Sequence, residues 1–66
     1  MTKPSDAQVE AAVRAFWETF EKEHAGLYGR ANAAAGVAML NGSAEIRTVI
    51  RLSMRAALTA ASKACA

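Results

Sequence analysis

Hydrophobic positions recur at helical spacing in three blocks along the chain. In the first, Val9, Val13, Phe16 and Phe20 fall on one face with Ala12 beside them, while Glu10, Arg14, Glu18 and Glu21 fall opposite. Trp17 sits at the border between the two. Ser5 and Gln8 have the spacing of a capping box, Asp6 suits the positive end of a helix dipole, and Gly26 is a natural stop. A first helix is predicted over about residues 5–25. The second block reads as a helix over about 28–40, ended by Asn41 and Gly42. Gly29 and Gly36 lie two turns apart on one side of it. Each glycine inside a helix costs about 1 kcal/mol, so the pair predicts close approach of another backbone. The third helix is predicted over about 43–64, with Ser43 as N-cap, Glu45 in its first turn and Lys63 near its end. Its apolar face reads Ile46, Val49, Ile50, Ser53, Ala57, Ala60, Ala61 and Ala64. No run alternates at period two, and Pro4, the one proline, precedes the first helix. The expected fold is all-α: a compact three-helix bundle forming a single domain over 1–66.

Composition changes that picture by thinning the core. Seventeen of the 66 residues are alanine, and beyond Met1 only sixteen are larger hydrophobes, from Val9 to Leu58. Alanine forms helix well but brings little apolar area. At this length burial and ordering entropy nearly cancel, so the core must be efficient or shared with another chain. A homodimer that completes the bundle is therefore one expectation. The apolar runs fall short of the roughly 20 residues of a membrane span, and no apolar signal core opens the chain. Cys65 is the only cysteine, which excludes an internal disulfide and fits a reducing, cytoplasmic setting.

Charge is unevenly spread. The net charge is +2, but residues 1–23 carry an acidic excess and residues 24–66 a basic one. Within IRTVIRLSMRAAL, Arg47, Arg51 and Arg55 stand one turn apart on one side of the third helix, and Leu58 shares their sector. Three readings follow. The stripe pairs with carboxylates of the first helix, Glu10, Glu18 and Glu21 being the candidates. Alternatively it faces a protein partner, since arginine beside leucine is an interface composition, and Trp17 and Tyr28 then join it as anchors. Or Arg30, Arg47, Arg51, Arg55 and Lys63 contact phosphates. The near-neutral total charge lowers the nucleic-acid reading. So does the first turn of the third helix, Ala44 to Arg47, which offers poor base-reading side chains.

Catalytic constellations are weak. His24 and Cys65 are single and near opposite ends of the chain, which disfavours a nucleophile pair. His24 could recruit Glu21 or Glu23, but a metal site needs about three or four ligands. Glu18, Glu21 and Glu23 on a helix surface lack the pocket that tunes an acid–base pair. Gly26, Tyr28, Gly29 and Arg30 do not fit a phosphate-binding loop. No enzyme, cofactor or metal is expected.

The ends, VEAAVRAF over 9–16 and MRAALTAA over 54–61 with Arg51 ahead of it, resemble short helical proteins encoded by bacteriophages and prophages. The resemblance covers about half the chain, omits the middle from Gly26 to Gly42, and carries over no functional residue. It implies a small accessory protein that binds and blocks a host protein, for example a CRISPR complex or another defence component. With Arg47, Arg51, Arg55, Leu58, Trp17, Tyr28 and Arg30 as contact residues, the expected function is a non-enzymatic inhibitor or adaptor. The alternatives are a nucleic-acid-binding accessory protein and a structural homo-oligomer.

Overall fold

A computed structural model describes residues 3–65, with the side chain of Cys65 outside the described set. Three helices account for nearly all of it: α1 (Asp6–Tyr28), α2 (Arg30–Asn41) and α3 (Ala44–Cys65). The all-α, three-helix expectation is met. The capping box at the start of α1 is complete: the Gln8 amide donates to Ser5 Oγ at 3.1 Å, and the Ser5 amide donates to Gln8 Oε1 at 2.8 Å. Ser43 caps α3 by accepting from the Ile46 amide at 3.3 Å.

The α1–α2 boundary differs from the sequence expectation. Gly26 lies inside α1, and the helix runs on to Tyr28. The break falls at Gly29, with φ 93° and ψ 157°, a region essentially restricted to glycine. This one residue ends α1, donating its amide to the Ala25 carbonyl at 2.9 Å, and opens α2, accepting from the Ala33 amide at 3.0 Å. The Asn32 side chain crosses the break to the Tyr28 carbonyl at 2.8 Å. Tyr28 therefore belongs to α1, not α2. The close approach expected at Gly29 and Gly36 is absent: a Cβ placed at either would meet nothing within 4 Å. Gly29 is needed for its backbone angles. Gly36 is an open helix position.

Packing follows one long helix with two partners. The α2 residues Arg30, Ala33 and Ala34 face Glu18, Glu21, Lys22 and Ala25 on the C-terminal half of α1. α3 runs antiparallel to the N-terminal half, where Arg55 meets Asp6 and Arg51 meets Glu10. α2 and α3 meet each other least of the three pairs. The backbone forms a slab of 42 × 24 × 15 Å. Helix axes pack about 8–10 Å apart, so the short dimension holds only about two helix layers. The core is accordingly minimal. Among the described residues only Val9, on α1 beside α3, and Ala33, on α2 against α1, are fully buried.

Candidate functional site

The arginine stripe is largely an internal device. Its spacing of four matches the spacing of Asp6 and Glu10, so an antiparallel α3 sets one arginine against one carboxylate per turn. Arg55 donates to Asp6 Oδ1 at 2.9 Å and to the Pro4 carbonyl at 3.2 Å, and Arg51 pairs with Glu10. The arginine and glutamate side chains of the second rung are about half exposed, 49% and 47%. Exposed pairs contribute about 0–1 kcal/mol each, so the rungs set helix register more than they stabilise. Of the three carboxylates expected to reach the stripe, only Glu10 does. Glu18 and Glu21 lie on the α2 side of α1, lining a cleft with Arg30. Asp6 takes the remaining rung.

The same register puts Arg14 opposite Arg47, and there the ladder fails. Both line a small cleft with Val13, Trp17, Asn41, Glu10 and Arg51. Like charges cannot pair, and Arg47 instead donates to the Asn41 carbonyl at the end of α2. Leu58, which shares the arginine sector, is half-buried and lines a hollow with Lys3, Pro4, Gln8 and Ser62 at the start of α1. The predicted contact residues thus divide. Arg51, Arg55 and Leu58 serve the α1–α3 contact, Arg47 and the half-buried Trp17 share the cleft with Arg14, and Arg30 and Tyr28 are exposed near the Gly29 break.

Turning its arginines toward α1 leaves α3 with its expected apolar face outward. Val49, Ser53, Ala57, Ala60, Ala61 and Ala64 are exposed, and only Ile46 and Ile50 are half-buried. α1 shows a matching feature. Residues Ala12, Ala15, Phe16, Thr19, Phe20 and Leu27, with Met54 of α3, line a largely apolar groove of about 550 Å³ whose lining also holds Glu23 and His24. No α2 residue lines it. On the helical wheel the groove side of α1 lies roughly 150° from the side that meets α2. On α3, Ile50, Ala57 and Ala61 share the sector of Met54 at helical spacing.

A row of aromatic rings runs along α1, with Phe16, Phe20 and His24 in the groove lining. Phe16 and Phe20 stack at 6.0 Å, Phe20 and His24 at 5.5 Å, and Trp17 meets both phenylalanines edge-on at 5.3 and 5.9 Å. Tyr28 extends the row, its ring 4.6 Å from that of His24. His24 Nδ1 is buried without a hydrogen-bond partner, so His24 acts here as one more ring in the row. Leu27, at 77% exposure, projects from the C-terminal end of the groove.

No protein family model, curated protein or solved structure matches the chain. Among the described residues no group of three or more His, Cys, Asp or Glu could hold a metal ion. Among the described residues no helix is long and apolar enough to cross a membrane.

The feature that sequence reasoning missed is the open groove. Ala12, Phe16 and Phe20 lie on the apolar face read from helical spacing, but no local pattern shows on which side of α1 the short α2 packs. It packs on the side of Glu18, Glu21, Lys22 and Ala25 and so leaves the groove open.

Proposed function

We propose that this chain is a non-enzymatic protein-binding module, an inhibitor or adaptor, that docks on protein through the apolar α1–α3 face. The observation that carries the reading is the open groove: Phe16, Phe20 and Leu27 of α1 line it with Met54 of α3, no α2 residue covers it, and Leu27 is 77% exposed. The face carries aromatic residues and a methionine, types that protein interfaces favour, with Glu23 among them. The phage-like ends agree with a role in blocking a host protein in the cytoplasm of the host cell.

The arginine stripe carries less of this function than its spacing suggested, because Arg51 and Arg55 are engaged within the fold. That also weakens the nucleic-acid reading: of the stripe, only Arg47 remains outside an ion pair among the described residues, beside Arg14. The test is capture from a bacterial lysate by immobilised chain. A Phe16→Ser/Phe20→Ser variant is expected to lose the captured protein, and an Arg14→Ser/Arg47→Ser variant to keep it. The reverse pattern would move the site to the arginine cleft. A gel shift at low salt, lost with Arg47→Ser, would favour nucleic acid.

A further inference from the structure

We infer that the cleft shared by Arg14 and Arg47 is a binding site for a dianionic phosphate group, of the kind a phosphomonoester carries. The site is separate from the apolar groove and stands whether or not that groove docks on protein.

All three helices supply the lining: α1 through Arg14 and Trp17, α2 through Asn41 at its end, and α3 through Arg47 and Arg51. Three guanidinium groups share the cleft with one carboxylate, Glu10, so the lining carries a formal charge of +2. At the two rungs before it, an arginine of α3 meets an acid, Asp6 or Glu10. One turn further along α1 the acid's place is taken by Arg14. Among the described residues neither Arg14 nor Arg47 has a carboxylate partner. An anion between them supplies the missing half of the third rung.

Two of the three arginines are already held by the fold. Arg51 is engaged by Glu10, and Arg47 donates through Nη1 to the Asn41 carbonyl. That bond uses one of the N–H groups of Arg47, which fixes the guanidinium in advance and leaves its other donors for a ligand. Arg14 is exposed and brings a second fork from the solvent side.

Charge selects the class of anion. A carboxylate neutralises half of the excess, whereas a phosphomonoester, at about −1.5 to −2 near pH 7, matches it. Arginine forks also suit phosphate oxygens, which accept two parallel N–H bonds. Size favours an ester over free phosphate. The cleft holds about 250 Å³, and at about 30 Å³ per water-sized group the heavy atoms of a phosphate fill roughly 150 Å³. Val13 and the half-buried Trp17, the apolar members of the lining, suit the organic group of an ester.

Trp17 is the only tryptophan, so its fluorescence reports on the cleft without a label. The test titrates the full chain, at constant ionic strength, with phenyl phosphate, phenyl sulfate and inorganic phosphate, and repeats each titration by calorimetry. Phenyl phosphate is expected to change the Trp17 emission saturably. Phenyl sulfate, similar in shape with a single charge, should bind about fivefold or more weakly. Inorganic phosphate should also bind more weakly than its phenyl ester. Arg14→Ser should weaken phenyl phosphate about tenfold by removing a charged donor. Arg14→Glu sets a carboxylate in the anion's place and should abolish binding, with the helices intact by far-UV circular dichroism. No saturable emission change together with no heat overturns the site, as does binding indifferent to both Arg14 variants. Equal affinity for sulfate and phosphate esters overturns the dianion assignment, and equal affinity for free phosphate overturns the ester. A single-stranded oligonucleotide without terminal phosphate that binds more tightly than phenyl phosphate, and loses binding in Arg14→Ser, would overturn the monoester in favour of a nucleic-acid backbone.

Discussion

Val9→Ala is the sharpest probe of the thin core. Among the described residues Val9 is the one large side chain that is fully buried. Removing two methyl groups forfeits about 1.6 kcal/mol of transfer free energy at about 0.8 kcal/mol each. The hole left, roughly 50 Å³, adds about 1 kcal/mol if the helices do not close on it. The loss of about 2–3 kcal/mol is set against a total of only about 3–10 kcal/mol for 66 residues. At about 4–8 °C per kcal/mol for a domain of this size, the melting temperature should fall by about 10–20 °C. The assay is thermal unfolding by far-UV circular dichroism. Variants and parent should be compared at one chain concentration. Val49→Ala deletes the same atoms from a side chain that is 60% exposed, and should change stability by no more than about 0.5 kcal/mol. Equal shifts for the two variants would show that Val9 is not at the centre of the α1–α3 contact.

Other predictions follow from the ladder and the glycines. Arg51→Glu places two carboxylates on one rung and should destabilise by about 0.5–1 kcal/mol, with the Glu10→Arg/Arg51→Glu swap restoring most of it; a swap no better than the single variant would refute the rung. Arg14→Glu should convert the failed rung opposite Arg47 into a pair and raise stability by about 0.3–1 kcal/mol in low-salt urea unfolding, an effect that added salt removes. Gly29→Ala should cost about 1–3 kcal/mol because its backbone angles exclude a Cβ. Gly36→Ala should gain about 0.5–1 kcal/mol, since the added methyl meets nothing within 4 Å; opposite signs for the two are the check. His24→Phe keeps the ring stack and removes the unpartnered Nδ1, and should raise stability by about 1 kcal/mol in the same unfolding assay.

The helices and their starts were legible because local chemistry encodes them. Ser5, Gln8 and Ser43 cap helices by contacts three residues away, so spacing alone reveals them. The end of α1 was less legible. Gly26 and Gly29 are the same residue type three positions apart, and only the backbone angle at Gly29 tells a break from a tolerated helix glycine. Asp6 was missed as a ladder partner because its position suited a helix dipole equally well. Pairing partners depend on the α1–α3 register, which no local pattern sets. The largest gap concerned which face turns inward. The apolar side of α3 reads as core on a wheel, but Arg51 and Arg55 turn toward the acids of α1 and leave the alanines outward. That outcome is a competition between a weak apolar face and an ordered set of ion pairs, and composition alone does not rank them.

Hydroxyl-radical footprinting, read residue by residue by mass spectrometry, tests the account most directly. It should be run on the free chain and on chain bound to any captured protein. The account predicts that Phe16, Phe20, Leu27 and Met54 become protected together on association. Met39 of α2, at 73% exposure and outside the groove, should stay reactive throughout. Protection of Met39 with an unchanged α1 groove would contradict it.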